Sequence, residues 1–251
     1  MKRIFGLILT GLVCHEVHAI QPIQHLDAME QGSVVTNGAG GVSSWSDQSG
    51  NGYHAMSDVG DVFYPSTSLS PLGLAGLDFG TAQTCLELFS AADSDLWLNQ
   101  SGSTNGFCVL IVFKCDELVG TWNDLIGNTS ATSSGFGMRW REDGMMQAYL
   151  GGVSLNKGGA KVAPGDTIVY AMNYNAVSGA FQFWDSKNNS LEARNSPAGD
   201  FSGASVTLGN TSNGARYFNG MIGEVRVFDV MLSAGDFQAQ ADELVGKWIV
   251  D

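Results

Sequence analysis

The sequence is short of positive charge: 12 Lys and Arg stand against 25 Asp and Glu, a formal net charge of −13 at pH 7. A surface of that sign repels phosphate backbones, because nucleic-acid affinity rests largely on Lys and Arg neutralising phosphates. Nucleic acid and anionic lipid are therefore excluded as expected partners, and the acidic surface is read first as a device for solubility. Histidine is also scarce, with 4 in the chain, and only His25 and His54 lie beyond the first 19 residues. Cysteine is limited to Cys14, Cys85, Cys108 and Cys115, and such scattered positions give no zinc-ligand spacing. Cys108 and Cys115 lie seven apart on one expected strand, so their side chains face opposite sides and do not pair with each other. Sequence alone does not choose a disulfide among Cys85, Cys108 and Cys115.

Long apolar runs are missing too, apart from Ile4–Val13 behind Met1, Lys2 and Arg3. That run is too short for a membrane anchor. It matches the basic and apolar regions of a secretory signal, with a small-residue cleavage site at Val17-His18-Ala19. The expectation is a signal peptide over 1–19, then one domain over 20–251, secreted to an extracellular or periplasmic space without membrane insertion. Lipid attachment at Cys14 is disfavoured by the branched Val13 before it.

Proline is rare, at 5, whereas glycine reaches 33 and gathers in turn-like clusters such as Asn37–Gly41, Gly50–Gly52 and Gly158–Gly159. Short runs rich in Val, Ile, Phe, Tyr and Trp lie between them, and many short strands separated by such turns describe a sandwich or barrel. No fixed repeat is present, which excludes propellers and solenoids. Strands are expected at Phe107–Lys114, Gly135–Arg141, Met145–Leu150, Thr167–Tyr174, Ala180–Trp184, Ser205–Leu208 and Met221–Phe228. Phe107–Phe113 is nearly continuous in apolar residues, as in a strand buried on both faces. In Ala180–Trp184, Phe181 and Phe183 share one face while Gln182 and Trp184 share the other. From Ser233 to Trp248 the period changes. Phe237, Leu244, Val245 and Trp248 form a helical stripe behind a Ser233/Asp236 capping pair, which predicts a short C-terminal helix on the sandwich edge.

Two segments carry a family resemblance. Trp45-Ser46-Asp47-Gln48-Ser49-Gly50-Asn51-Gly52-Tyr53-His54-Ala55 resembles the W-x-D-x-S-G-N-G-x-x-A segment of bacterial laminin-G-like, concanavalin A-like jelly rolls. Phe218–Asp229, followed by Leu232-Ser233, is similar to that family's closing strand and helix. Leu26-Asp27-Ala28 and Leu77-Asp78-Phe79 resemble its opening strands. The resemblance implies an all-β, two-sheet antiparallel jelly-roll sandwich with a short C-terminal helix. Some members bind calcium, so Asp47 and Asn51 become candidate metal ligands with hard oxygens. The same loop also reads as a tight turn bonded to itself. Glu224 is expected to form an ion pair with Arg226 or a neighbouring strand.

Catalytic signatures are sparse. No Glu is followed two positions on by Asp, as the paired carboxylates of related glucanases would require. No Gly-x-Ser-x-Gly elbow adjoins either His, and phosphate-cradling glycine motifs are absent. A polysaccharide lyase or glycoside hydrolase remains the alternative, with Arg139, Arg141, Gln147 and Tyr149 facing a carboxylate-bearing substrate from adjacent strands. The favoured reading is binding without chemistry, to a glycan, a polysaccharide or a cell-surface protein. Sugar C–H faces stack on aromatic rings, so Trp140, Tyr149, Trp184 and Tyr217, with Arg139 and Trp122, are the candidate ligand contacts. One or two of the aromatic residues are expected at the surface, since most aromatics in a sandwich are core.

Overall fold

The computed structural model describes residues 20–64, 69–80, 83–98, 106–128, 135–195, 201, 204–210 and 216–250. The expected signal peptide over 1–19 lies outside the described residues. Strands β1 (Gln24–Asp27), β2 (Val34–Thr36), β3 (Val42–Trp45), β4 (Ala55–Val59), β5 (Leu77–Asp78) and β6 (Cys85–Phe89) precede helix α1 (Ala91–Leu98). There follow β7 (Gly106–Glu117), β8 (Trp122–Gly127), β9 (Phe136–Arg141), β10 (Met146–Leu150), β11 (Val153–Asn156) and β12 (Thr167–Asn175). The chain closes through β13 (Ala180–Asp185), β14 (Ser190–Asn195), β15 (Val206–Leu208), β16 (Asn219–Phe228) and helix α2 (Ala234–Trp248).

These strands form two antiparallel sheets. The seven-stranded sheet runs β1-β16-β7-β12-β13-β14, with β5 also on β16, and the nine-stranded sheet runs β11-β10-β9-β8-β15-β6-β4-β3-β2. The all-β jelly-roll expectation holds. β7 and β16, distant in sequence, pair along most of their length. Their side chains explain the unbroken apolar run of β7. Phe107, Val109, Ile111 and Phe113 fill the space between the sheets, whereas Cys108, Leu110 and Val112 point out beneath α2. Phe181 and Phe183 likewise face inwards, and Trp184 faces out under the same helix.

Helix α2 starts where the sequence places it. Ser233 caps it by accepting from the Asp236 amide, and its hydroxyl donates to the Asp236 carboxylate. The helix does not lie on the sandwich edge. Phe237, Ala241, Leu244 and Trp248 pack on the outer face of the seven-stranded sheet, because β7 and β12 present apolar side chains there that would otherwise meet water. Gly223 admits it: a Cβ at this position would lie 2.6 Å from Cη2 of Trp248. Helix α1 was not expected. Its Trp97 packs edge-on to Phe107 at 5.5 Å and close to Phe89 at 5.2 Å, anchoring the helix against β6 and β7. Among the described residues Cys85, Cys108 and Cys115 form no disulfide and are buried, with Cys108 on the outer side of β7 and Cys115 on the inner side. Burial pushes the Cys85 thiol up to about 12, so it is not a ready nucleophile.

Candidate functional site

Three polar constellations stand out, and the first is the Asp47 loop. Oδ1 of Asp47 accepts from the His25 and Ser49 amides, each at 2.9 Å. Oδ2 accepts from the Ser49 hydroxyl at 2.7 Å, the Gly52 amide at 3.0 Å and the Tyr53 amide at 3.1 Å. A carboxylate has about four lone-pair sites, and these five donors engage them. Asn51 turns its amide nitrogen to the Ile23 carbonyl at 3.0 Å and to the Ser49 hydroxyl at 3.1 Å. A calcium ion at Asp47 and Asn51 would have to displace these donors. The loop is a hydrogen-bonded fastener between β1 and the turn, with Gly50 and Gly52 at positive φ of 88° and 81° completing it. His54 accepts the Asp47 amide at 3.0 Å through Nδ1 and is a loop residue too.

The second constellation surrounds Glu224 on β16, which is fully buried. Its carboxylate receives Nε of Arg226 at 2.8 Å, Nζ of Lys247 at 2.6 Å and the Trp248 indole at 2.8 Å, and lies 2.8 Å from Nε2 of His25. His25, Asp27 and Glu224 bring ligand atoms within 4.8 Å of one another. The places a metal would take are filled by the protein's own guanidinium and ammonium, since Lys247 also bonds Asp27. Burial alone would raise the Glu224 pKa, but the His25 hydrogen bond and the charges of Arg226 and Lys247 hold it well below the ordinary carboxylate range. The expected Glu224–Arg226 pair is present, and it ties α2 to β1 and β16.

The third lies on the outer face of the nine-stranded sheet. Register places Asp124 on β8 opposite Arg139 on β9, Arg139 opposite Gln147 on β10, and Gln147 opposite Asn156 on β11. Four polar residues thus form one row across four strands. Nε of Arg139 forms an ion pair with Oδ1 of Asp124 at 2.7 Å. Gln147 donates to Asn156 at 2.6 Å. Among the described residues Oδ2 of Asp124, Nη2 of Arg139 and Oε1 of Gln147 are buried without a hydrogen-bond partner. Such orphaned groups are costly and rare, which marks the row as a candidate site. Burial pushes the Asp124 carboxyl up to about 6, against the pull of Arg139 and Arg216.

Beside this row stands Trp122, also on β8, half-buried and opposite Arg141. The guanidiniums of Arg141, Arg139 and Arg216 lie 5.2, 5.7 and 5.9 Å from its ring, and Arg139 also lies 4.7 Å from the Tyr149 ring. All are within cation–π range. The Asp124 amide donates to the Arg216 carbonyl, which holds that segment against β8. Val119, Gly120, Thr121, Trp122, Arg216 and Tyr217 line a cavity of about 240 Å³.

The candidate contacts divide sharply. Trp140 is 0% exposed in the interior, because its alternation on β9 is opposite to that of Arg139. Trp184 is sealed beneath α2. Neither has a face to offer a sugar, and both are corrected to core. Tyr149 is 3% exposed and lies on the outer face against Arg139. Tyr217 and Trp122 are half-buried at the cavity, and Arg139, Arg141, Gln147 and Tyr149 do share one face. Asp124 and Arg216 went unnoticed in the sequence. The scarcity of arginine, six in the chain, was the available signal for Arg216, and three of the six meet at Trp122.

The family model described as the concanavalin A-like lectin/glucanases superfamily matches residues 91–237. No curated protein matches the chain. Among solved structures, a mutant Trypanosoma rangeli sialidase displaying trans-sialidase activity superposes with a TM-score of 0.61 at 12% identity, over 89% of this chain and 33% of that one. The chain thus spans about a third of that sialidase's length. Domain 4 of AbnA, a GH43 extracellular arabinanase from Geobacillus stearothermophilus in complex with arabinotriose, has a TM-score of 0.59 at 14% identity, over 88% of this chain and 98% of that one. At such identities the likeness is one of fold.

Proposed function

The chain belongs to the concanavalin A-like lectin/glucanase superfamily, and from that premise we propose that it is an exported module that binds a carbohydrate without transforming it. The carrying observation is the cavity where Trp122 and Tyr217, both half-buried, stand beside Thr121 and Arg216. Aromatic rings supply stacking surface for sugar C–H faces, and the hydroxyl and guanidinium supply directional contacts. The arabinotriose complex of a domain with this fold and nearly this length supports the reading. Export rests on the leader read in residues 1–19. The test is a polysaccharide pull-down followed by calorimetry on Trp122→Ala and Tyr217→Ala, with the buried Trp140 as the contrasting position. Binding lost in either surface variant supports the proposal. Binding that survives both removes it.

A second reading is catalysis at the neighbouring row. The buried Asp124, with its pKa pushed up to about 6, beside Arg139 and Gln147 resembles a poised proton donor and a carboxylate clamp. Incubation with uronate-containing and neutral polymers, read by ultraviolet absorbance of unsaturated products and by reducing ends, tests it. Product formation abolished in Asp124→Asn favours the enzyme, whereas a panel without product leaves binding alone.

A further inference from the structure

We infer that the Trp122 cavity selects saccharides carrying an anionic substituent, a carboxylate or a sulfate ester, and that Arg216 is the residue that engages it. This inference rests on the carbohydrate-binding reading above and adds the charge class of the ligand. The chain as a whole repels anions, with 25 acidic residues against 12 basic ones. Three of its six arginines nevertheless converge on one indole ring, at 5.2, 5.7 and 5.9 Å. Their counter-charges are unequally shared. Arg139 contacts Asp124 at 2.7 Å and Arg141 contacts Asp143 at 3.3 Å. No carboxylate among the described residues lies within 4.0 Å of Arg216, which forms part of the cavity wall.

A second observation points the same way. Among the described residues Nη2 of Arg139 has no hydrogen-bond partner, so the guanidinium 5.7 Å from the Trp122 ring keeps an unused donor. A guanidinium presents a planar fork that matches carboxylate and sulfate oxygens, and its attraction is strongest where water is partly excluded. A neutral sugar offers the Arg216 guanidinium no counter-charge. An acidic one neutralises it and stacks its ring on the same aromatics.

The experiment uses the full mature chain and four probes: tetragalacturonate, its carboxyl-reduced counterpart, a sulfated galactan tetrasaccharide and its desulfated form. Calorimetric titrations are run at two salt concentrations. One acidic probe is expected to bind about tenfold or more tightly than its neutral counterpart, the scale of one charge-assisted hydrogen bond. Its affinity should fall with salt, and the acidic-to-neutral ratio should approach one in Arg216→Gln. Near-ultraviolet circular dichroism of that variant verifies the fold. Which pair shows the preference separates carboxylate from sulfate. Neutral probes that bind as well as acidic ones, or a ratio unchanged in Arg216→Gln, overturn the inference while leaving the carbohydrate reading standing. Absence of binding by these and by a wider glycan panel removes both.

Discussion

The indole nitrogen of Trp248, at the end of the last helix, donates a 2.8 Å hydrogen bond to Glu224 in the middle of β16. The contact places a buried carboxylate under the helix, where Arg226 and Lys247 neutralise it and His25 reaches it from β1. One acidic residue therefore joins the first strand, the last strand and the last helix.

Glu224→Gln should lower unfolding free energy by about 3–5 kcal/mol, because removing one member of a buried ion network leaves the others unpaired. Urea unfolding measures it. The pH dependence has a definite sign. A carboxylate whose folded-state pKa lies below its unfolded value contributes stability above the unfolded value and loses it as pH falls through the folded one. The native chain should hence lose stability below about pH 4 more steeply than Glu224→Gln.

Gly223→Ala places a methyl group 2.6 Å from Cη2 of Trp248, and overpacking of this kind costs about 1–3 kcal/mol. Trp248→Leu removes the obstructing ring. In a double-mutant cycle the two substitutions together should destabilise by less than the sum of each alone.

The Asp47 carboxylate accepts from backbone amides and the Ser49 hydroxyl. Asp47→Ala should cost about 2 kcal/mol or more, through loss of several charge-assisted hydrogen bonds. Calcium or a chelator should leave the thermal midpoint of the native chain unchanged. A calcium-dependent rise would restore the metal reading.

Asp124 has the opposite sign from Glu224. Its folded-state pKa is raised from 3.8 to about 6 by burial, against the pull of Arg139 and Arg216, so its stabilising contribution is present below the lower value and is lost as pH rises through the upper one. Between pH 4 and 6 this group should make the native chain less stable as pH rises. Denaturation profiles of Asp124→Asn should lack that component.

Much of this architecture is legible in the residues. β7, β12, β13 and β16 carry dense β-branched and aromatic runs, and α2 carries both a stripe and a cap, so local preference and tertiary burial agree there. β8 is a different case. Asn123, Asp124 and Gly127 are poor strand formers, and pairing with β9 and β15 supplies the order that local preference does not. Helix α1 was hidden because its sequence has almost no amphipathic stripe. Strand alternation grouped Arg139, Arg141, Gln147 and Tyr149 correctly, since residues two apart share a face. The same alternation sets Trp140 on the face opposite Arg139 and Arg141, whereas the cover of α2 over the outward-facing Trp184 depends on partners distant in sequence.

Contact between saccharide and the Trp122 cavity can be read from the indole N–H resonances of the six tryptophans during a glycan titration. The Trp122 signal should shift in proportion to occupancy while those of Trp45, Trp140 and Trp184 stay in place. Saccharide binding with Trp122 unmoved, or with the shifts centred on another indole, would contradict it.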